Sequence, residues 1–142
     1  FEELKYLDGY SEIDKAIHLE GAAILYSNAH RLSAIVSNLI SNSIKYRDKR
    51  KGRCVIQLSA SVTPGEVTIH FYDNGIGIHP DYLPNVFDMF FRGTSYSDGA
   101  GLGLYIVKEM VEKMSGRIVI NSILDKETMI TITLPNKLPA AN

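Results

Sequence analysis

The hydrophobic positions along the first half of the chain follow two periods in turn. Between Arg31 and Tyr46, apolar residues recur at the three- and four-residue spacing of an amphipathic helix. From Cys54 to Asp73 they alternate with polar residues, as in two half-buried strands, and a Pro-Gly pair at 64–65 separates the two runs. This part of the chain therefore predicts a long helix followed by a β-hairpin.

The ends of the chain and its middle give shorter elements. The N-terminal FEELKYL predicts a short helix, and Glu12–Glu20 and Ala22–Ser27 predict two short strands. Residues 74–100 are rich in glycine and proline and show no sustained period, which predicts one long irregular segment with a short helix after Pro80. Irregular segments of this length inside a domain usually act as functional lids or mobile segments.

The last forty residues return to regular patterns. Leu102–Ser115 predicts a helix, with Gly116 at the position of a C-terminal cap. RIVINSI and TMITITLP predict a final hairpin that turns around Asp125 and Lys126. Helices and strands thus mix along the chain, and an α/β domain is the expected fold class.

Composition narrows the classes of function. The 142 residues are 45% hydrophobic and 22% charged, which fits one folded domain with a substantial core. The formal net charge of −1 gives no general attraction to nucleic acid or to an anionic membrane. No apolar run approaches the ~20 residues that span a bilayer. The single cysteine, Cys54, excludes an internal disulfide and indicates a reducing compartment.

Three glycines, Gly99, Gly101 and Gly103, precede the second long helix within five positions. A helix N-terminus leaves backbone N–H groups unpaired and carries a partial positive charge, and glycine lets an anion approach that backbone closely. Phosphate binding explains the three glycines, and so does a flexible hinge before a core helix. The spacing matches neither a P-loop nor a dinucleotide-binding turn.

Asp73 ends a strand in which Val67, Ile69 and Phe71 fall on one face. The two-residue period places the Asp73 carboxylate on that same apolar side, where it needs a hydrogen-bond donor. The exocyclic amine of adenine is a suitable donor. Alternatively, the aspartate caps its own DNGIG loop in an Asx-turn.

Asn38, Asn42 and Lys45 lie within a wedge of about 60° on the first long helix, away from its apolar stripe. Asparagine is a poor helix former, so two in the middle of one helix call for a reason. Their amide oxygens are suitable neutral ligands for Mg²⁺, and Lys45 could neutralise phosphate charge. A solvated polar face is the alternative.

Four motifs occur in a fixed order: NLISNSIKY (38–46), DNGIG (73–77), VFDMFFR (86–92) and GAGLGL (99–104). Together they resemble the ATP-binding catalytic domain of bacterial sensor histidine kinases, in the superfamily that also holds gyrase, chaperone and mismatch-repair ATPases (the Bergerat fold). The resemblance covers roughly residues 28–135 of a chain expected to be one domain, 1–142. It implies a two-layer α/β sandwich, with a mixed sheet of about five strands covered on one face by three helices, and a mobile ATP lid.

The resemblance also implies a role for each matching residue, with ATP and Mg²⁺ as cofactors. It implies Asn42 as the Mg²⁺ ligand, Asn38, Lys45 and Arg92 in catalysis, and Asp73 as the group that recognises adenine. The implied nucleotide-binding set is Asn38, Asn42, Lys45, Tyr46, Asp73, Gly75, Gly77, the lid residues Phe87, Phe90 and Arg92, and the phosphate loop with its docking leucines, Gly99, Gly101, Leu102, Gly103 and Leu104.

The chain departs from the family pattern in three places. Asn28 stands before the long helix where aspartate is common, and it can still act as an N-terminal cap. Ser43 stands where alanine is usual, an exchange expected to have no consequence. The final hairpin lacks the usual glycines, so its turn is expected to differ. In many ATPases of the superfamily a glutamate that activates water occupies the position of Asn38, and asparagine cannot accept that proton.

The resemblance therefore implies transfer of the γ-phosphoryl group to a histidine on a separate helical dimerisation domain, with a response regulator downstream. The four histidines, His18, His30, His70 and His79, are interpreted as structural or surface residues, so the phosphoacceptor domain is expected outside this chain. The domain is expected to be cytoplasmic and, on its own, monomeric, while the parent is expected to be a homodimer. No contact of the domain itself with nucleic acid or membrane is expected, whether or not the parent is anchored in the inner membrane. The alternatives are a non-catalytic nucleotide-binding module and an ATPase or protein serine kinase of the same superfamily.

Overall fold

The computed structural model of the chain describes residues 13–21, 29–88 and 103–136. The predicted helix in residues 1–7 and the predicted strand Ala22–Ser27 lie outside them. The elements in chain order are β1 (Ile13–Glu20), α1 (Ala29–Lys45), β2 (Cys54–Val62), β3 (Glu66–Asp73), a 3-10 helix (Pro80–Asn85), α2 (Gly103–Lys113), β4 (Arg117–Ile123) and β5 (Glu127–Pro135).

The five strands form one mixed sheet in the order β1-β2-β3-β5-β4. β1 pairs with β2 in parallel, and the other three pairings are antiparallel. The predicted mixed sheet of about five strands is confirmed. Because β3 lies at the centre, its last residue, Asp73, has Ile56 of β2 and Thr128 of β5 as lateral neighbours.

The core lies between one face of the sheet and the helices. The apolar stripe of α1 and two valines of α2 pack against alternate residues of β2, β3 and β5. Each of these side chains is less than 10% exposed: Ile35, Leu39, Ile40, Ile44, Val107, Val111, Cys54, Ile56, Val67, Ile69, Phe71, Ile130, Ile132 and Leu134. Burial of this apolar surface stabilises the two-layer α/β sandwich that the sequence predicts. None of the described helices is long and apolar enough to cross a membrane.

The C-terminus of α2 differs from the prediction by one residue. Ser115, not Gly116, adopts the left-handed conformation, with φ of 59°. The Ser115 N–H donates to the Glu112 carbonyl at 3.0 Å and the Gly116 N–H to the Val111 carbonyl at 2.9 Å, the two bonds of a Schellman cap. Gly116 is needed for a different reason, since a Cβ there would lie 2.5 Å from the Thr133 carbonyl oxygen.

The final hairpin turns where the sequence predicts. Asp125 has a φ of 64° and supplies the left-handed residue that a glycine usually provides. The Lys126 N–H donates to the Ile123 carbonyl at 3.0 Å and closes the turn. The absence of glycine therefore does not prevent a tight connection between β4 and β5.

Candidate functional site

A cleft of about 620 Å³ lies between α1, the start of α2, the loop after β3 and the β4–β5 hairpin. Apolar side chains from the sheet and hairpin form much of its wall, and a few polar groups face into it. Six of the residues that the sequence assigns to a nucleotide line it: Asn42, Tyr46, Asp73, Gly77, Gly103 and Leu104.

Asp73 is held at the floor of the cleft by two donors from different elements. Its Oδ2 accepts a hydrogen bond from the Ser43 hydroxyl of α1 at 2.7 Å. Its Oδ1 accepts one from the Gly75 N–H at 2.9 Å, which is an Asx-turn. The Asx-turn alternative is therefore found in the structure. Because the carboxylate also lines the cleft, recognition of adenine by Asp73 stays a prediction.

Burial raises the pKa of Asp73 above its ordinary value, because a charged carboxylate loses hydration there. The hydrogen bonds from Ser43 and Gly75, and the charge of Lys51, oppose this rise in pKa. Each carboxylate oxygen keeps a further lone pair beside these bonds, so Asp73 can still accept from a ligand that presents an N–H.

The loop after β3 is fixed on both sides by backbone hydrogen bonds. The Ile76 N–H donates to the Tyr46 carbonyl at the end of α1 (3.1 Å), and the Ile76 carbonyl accepts from the Asp125 N–H of the β4–β5 turn (2.6 Å). The Ile78 N–H donates to the Ser122 hydroxyl at 2.8 Å. These bonds join the loop to both walls of the cleft.

The ammonium group of Lys51 adds a second connection between the loop after β3 and the β4–β5 turn. It donates to the carbonyls of Asn74 and Gly75 in the loop, at 2.6 and 3.2 Å, and to the Lys126 carbonyl in the turn, at 2.8 Å. Charge-assisted hydrogen bonds are stronger than neutral ones, so this lysine restrains the backbone that carries Asp73.

Gly75 and Gly77 fit where side chains cannot. A Cβ on Gly75 would lie 2.8 Å from both Asp73 Oδ1 and the Tyr46 carbonyl oxygen. Gly77 has a φ of +70°, and a Cβ there would overlap the Ile123 carbonyl oxygen of the hairpin. Both glycines thus let the loop pack closely against its neighbours, as the sequence predicts for the shape of this loop.

We expect Gly77→Ala to lower the free energy of unfolding by at least about 2 kcal/mol, because it combines an unfavourable left-handed alanine with a backbone overlap. Gly65→Ala is the matched control, since a Cβ there meets nothing within 4 Å. Urea unfolding of both variants measures the difference. Equal stability of the two variants would contradict the close packing of loop and hairpin.

Asn42 faces the cleft opposite the start of α2. A Cβ built on Gly103 would lie 3.3 Å from Asn42 Oδ1, so the asparagine of α1 and the glycine at the start of α2 are neighbours. No hydrogen bond of the Asn42 side chain is found within residues 13–21, 29–88 and 103–136. A neutral oxygen free of other partners in this part of the structure fits the donor chemistry of Mg²⁺.

Four predicted site residues within the described ranges do not line the cleft: Gly75, described above, and Asn38, Lys45 and Phe87. The Asn38 amide donates to the Ala34 carbonyl of its own helix at 2.7 Å. Lys45 is exposed at the end of α1. Phe87 is half-buried, with the Lys108 ammonium 5.7 Å from its ring centre. Phe90, Arg92, Gly99, Gly101 and Leu102, and most of the predicted lid, lie outside the described residues.

Sequence reasoning missed several groups that line the cleft. Arg50, for which the sequence predicts no role in the site, lines the cleft and pairs with Asp125 at 2.7 Å and with Asp48 at 2.9 Å. The hydrogen bonds from Arg50 hold the pKa of the buried Asp48 carboxyl at about 2. No local signal joins residues 48, 50 and 125, because the last of them lies 75 positions from Arg50 in the chain.

Other missed groups lie at the rim and wall of the cleft. His79 and Tyr82 have ring centres 5.6 Å apart, and His79 Nδ1 accepts from the Asp81 N–H at the start of the 3-10 helix. Thr128 is buried beside Asp73 in the sheet and exchanges a 2.8 Å hydrogen bond with Ser122. The register of β3 with β5 places Thr128 there, and a pattern within one strand cannot reveal it.

Comparison with known proteins decides the family. The family model described as "Histidine kinase-, DNA gyrase B-, and HSP90-like ATPase" matches residues 27–138. The chain belongs to this family. Its match includes the four motifs, and the cleft described above unites residues from all four of them.

The curated relatives are sensor kinases. Sensor histidine kinase AtsR of Burkholderia thailandensis is 32% identical over 124 residues, which are 83% of this chain and 20% of that protein. Sensor protein kinase WalK of Staphylococcus haemolyticus is 38% identical over 109 residues, 74% of this chain and 18% of that protein. The chain thus spans about a fifth of the length of these relatives.

Solved structures agree in fold. The mycobacterial sensor histidine kinase MprB has a TM-score of 0.74 at 27% identity, over 89% of this chain and 86% of that one. Full-length ShkA in complex with AMPPNP has a TM-score of 0.80 at 25% identity, over 99% of this chain and 29% of that one. The resemblance to the ATP-binding catalytic domain of sensor histidine kinases is confirmed, and homology supports ATP binding and a kinase role in two-component signalling.

Proposed function

We propose that the chain binds Mg-ATP and donates the γ-phosphoryl group to a histidine on a separate helical domain of the same parent protein. The observation that carries the proposal is the convergence of Asp73, Asn42 and Gly103 on one cleft. Asp73 would accept from the adenine amine at one end. Asn42 would hold Mg²⁺ near the start of α2, where the helix N-terminus favours phosphate.

In the proposed transfer, a nitrogen of the acceptor imidazole attacks the γ-phosphorus. A nitrogen–phosphorus bond forms while the bond to the β–γ bridging oxygen breaks, and ADP leaves. Such reactions depend on positioning and charge neutralisation more than on covalent chemistry by the protein. When bound, Mg²⁺ would offset the negative charge of the phosphates. Lys45, Arg92 and the glycine-loop amides would assist, with Asn38 supporting Asn42 from one helical turn earlier.

Transfer to another domain is favoured over hydrolysis because α1 offers no carboxylate on its asparagine face that could act as a general base. The helix α1 contains no Asp or Glu. Of the cleft-lining residues in the described part of the chain, Asp73 and Asp125 carry carboxylates. Asp73 is engaged by Ser43 and Gly75, and Asp125 is paired with Arg50.

The remaining parts of the proposal follow from the family. The chain would be a single catalytic domain, with its core at about residues 28–135. The phosphoacceptor domain lies elsewhere in the homodimeric parent, and a response regulator acts downstream. On its own the domain would be a monomer. Within the parent, which is either free or anchored in the inner membrane, it would work in the cytoplasm without its own contact to nucleic acid or membrane.

A transfer assay tests the proposal. The chain is mixed with ATP labelled at the γ-phosphate, Mg²⁺ and the helical phosphoacceptor domain of its parent. We expect acid-labile, alkali-stable label on that domain, and none when its acceptor histidine is replaced. Steady-state release of phosphate without the acceptor should be slow. Rapid phosphate release with no labelled acceptor would contradict the proposal and favour an ATPase.

A further inference from the structure

Ser43 stands where the resemblance implies an alanine, and the exchange was expected to have no consequence. In the structure, however, the serine hydroxyl makes a specific contact. Ser43 lies on the buried side of α1 and is 6% exposed. Its hydroxyl donates to Asp73 Oδ2 at 2.7 Å, across 30 positions of sequence. The residue also lines the cleft, so the hydrogen bond forms at the wall that a ligand would meet.

The Asp73 carboxylate is fixed by two donors that do not belong to the same element. Gly75 N–H binds Oδ1 from the loop, and the Ser43 hydroxyl binds Oδ2 from the helix. Two anchors on different oxygens define the rotation of the carboxylate plane, whereas one anchor leaves it free to turn. An alanine at position 43 could not supply the second anchor.

The Ser43 hydroxyl also retains acceptor capacity. A hydroxyl has one proton and two lone pairs, and the single proton is committed to Asp73. Lone pairs on its oxygen therefore remain beside the Asp73 carboxylate, in the lining of the cleft. An exocyclic amine has two N–H groups, so it can use two neighbouring acceptors, whereas a carbonyl oxygen at the same ring position can use neither.

We propose that Ser43 is a positioning residue that orients Asp73 for the exocyclic amine of adenine and so increases selection of adenine over hypoxanthine. This inference rests on the proposed function, because it assumes that the base of the nucleotide reaches Asp73. The preference for adenine over hypoxanthine should therefore be larger in this chain than in a variant with alanine at position 43.

The test compares ADP with IDP, which differ in the amine and carbonyl at that ring position. Affinities are measured by calorimetry for the unmodified chain, Ser43→Ala and Ser43→Thr. Loss of one hydrogen bond to a charged group predicts about a tenfold fall in the ADP-to-IDP affinity ratio for Ser43→Ala. Ser43→Thr keeps the hydroxyl and should retain the ratio. If Ser43 had only a structural role, Ser43→Ala would lower the affinities for ADP and IDP alike and leave their ratio unchanged.

Ser33→Ala is the matched control, because it makes the same change at an exposed position of the same helix. Its ratio should equal that of the unmodified chain. If the unmodified chain prefers ADP and Ser43→Ala keeps the full preference, the inference about Ser43 is wrong and the proposed function stands. If the unmodified chain shows no preference for ADP, the assignment of the base to Asp73 fails, and the proposal for Ser43 fails with it.

Discussion

Asn42→Ala should remove the enhancement of nucleotide binding by Mg²⁺ and lower phosphoryl transfer at least about 100-fold, while the fold is retained. The Asn42 carboxamide lines the cleft and has no hydrogen bond within the described ranges, so its loss breaks no internal hydrogen bond there. The variant removes a neutral oxygen that can bind the ion and leaves a methyl group that cannot.

The measurement is ADP affinity with Mg²⁺ and with EDTA, by calorimetry, together with a thermal unfolding curve. Asn121→Ala, an exposed asparagine on β4 that does not line the cleft, is the control and should keep the full effect of magnesium. If Mg²⁺ increases the ADP affinity of Asn42→Ala as much as that of the unmodified chain, the ion has another ligand.

The position of Asp73 could be predicted from the sequence because it depends on the local geometry of a strand. Side chains two residues apart share a face, so buried Val67, Ile69 and Phe71 direct Asp73 to the same side. The same applies to α1, where the helical period separates Asn42 from the apolar stripe. The helical period does not decide how far along the helix the cleft extends, because Asn38 and Lys45 of the same wedge lie away from its lining.

The second wall of the cleft could not be predicted, because it depends on contacts between distant segments. The loop after β3 meets the β4–β5 turn through Ile76 and Asp125, and Arg50 reaches the same turn. Each of these residues looks like a solvated loop position in its own segment. Strand order and register bring them together, and neither is encoded in the period of one strand.

The roles of some glycine and serine residues differ from those that the sequence indicates. A glycine after a helix usually serves as the left-handed cap, but here Ser115 takes that conformation and Gly116 provides space for the backbone of β5. Ser43 is a small change from alanine by volume, yet it adds a donor to a buried carboxylate. Both differences come from tertiary contacts that composition and spacing do not record.

Asp73→Asn is expected to weaken ADP binding by about 10- to 100-fold and to remove the preference for ADP over GDP, with little effect on stability. The carboxylate accepts from the adenine amine, whereas the guanine carbonyl at the corresponding ring position repels it. An asparagine amide can donate to that carbonyl and loses the charge that strengthens the bond to adenine.

The small effect on stability follows from the pKa of Asp73. Burial raises the pKa of Asp73 in the folded state. Between the pKa values of the unfolded and folded states, the folded state therefore binds more protons than the unfolded state. The free energy of unfolding then falls as the pH rises through that window. At neutral pH the charge therefore opposes folding. Replacing it by a neutral amide relieves that cost and offsets the weakening of the bonds from Ser43 and Gly75.

Calorimetry with ADP and GDP, and urea unfolding at pH 7, test both halves of this prediction. Glu66→Gln makes the same carboxylate-to-amide change at the exposed, opposite end of β3 and should alter neither nucleotide affinity nor selectivity. A variant that binds both nucleotides as before, but unfolds much more easily, would mean that Asp73 serves only to cap its loop. Weaker ADP binding in a protein of unchanged stability would assign the Asp73 carboxylate to the ligand.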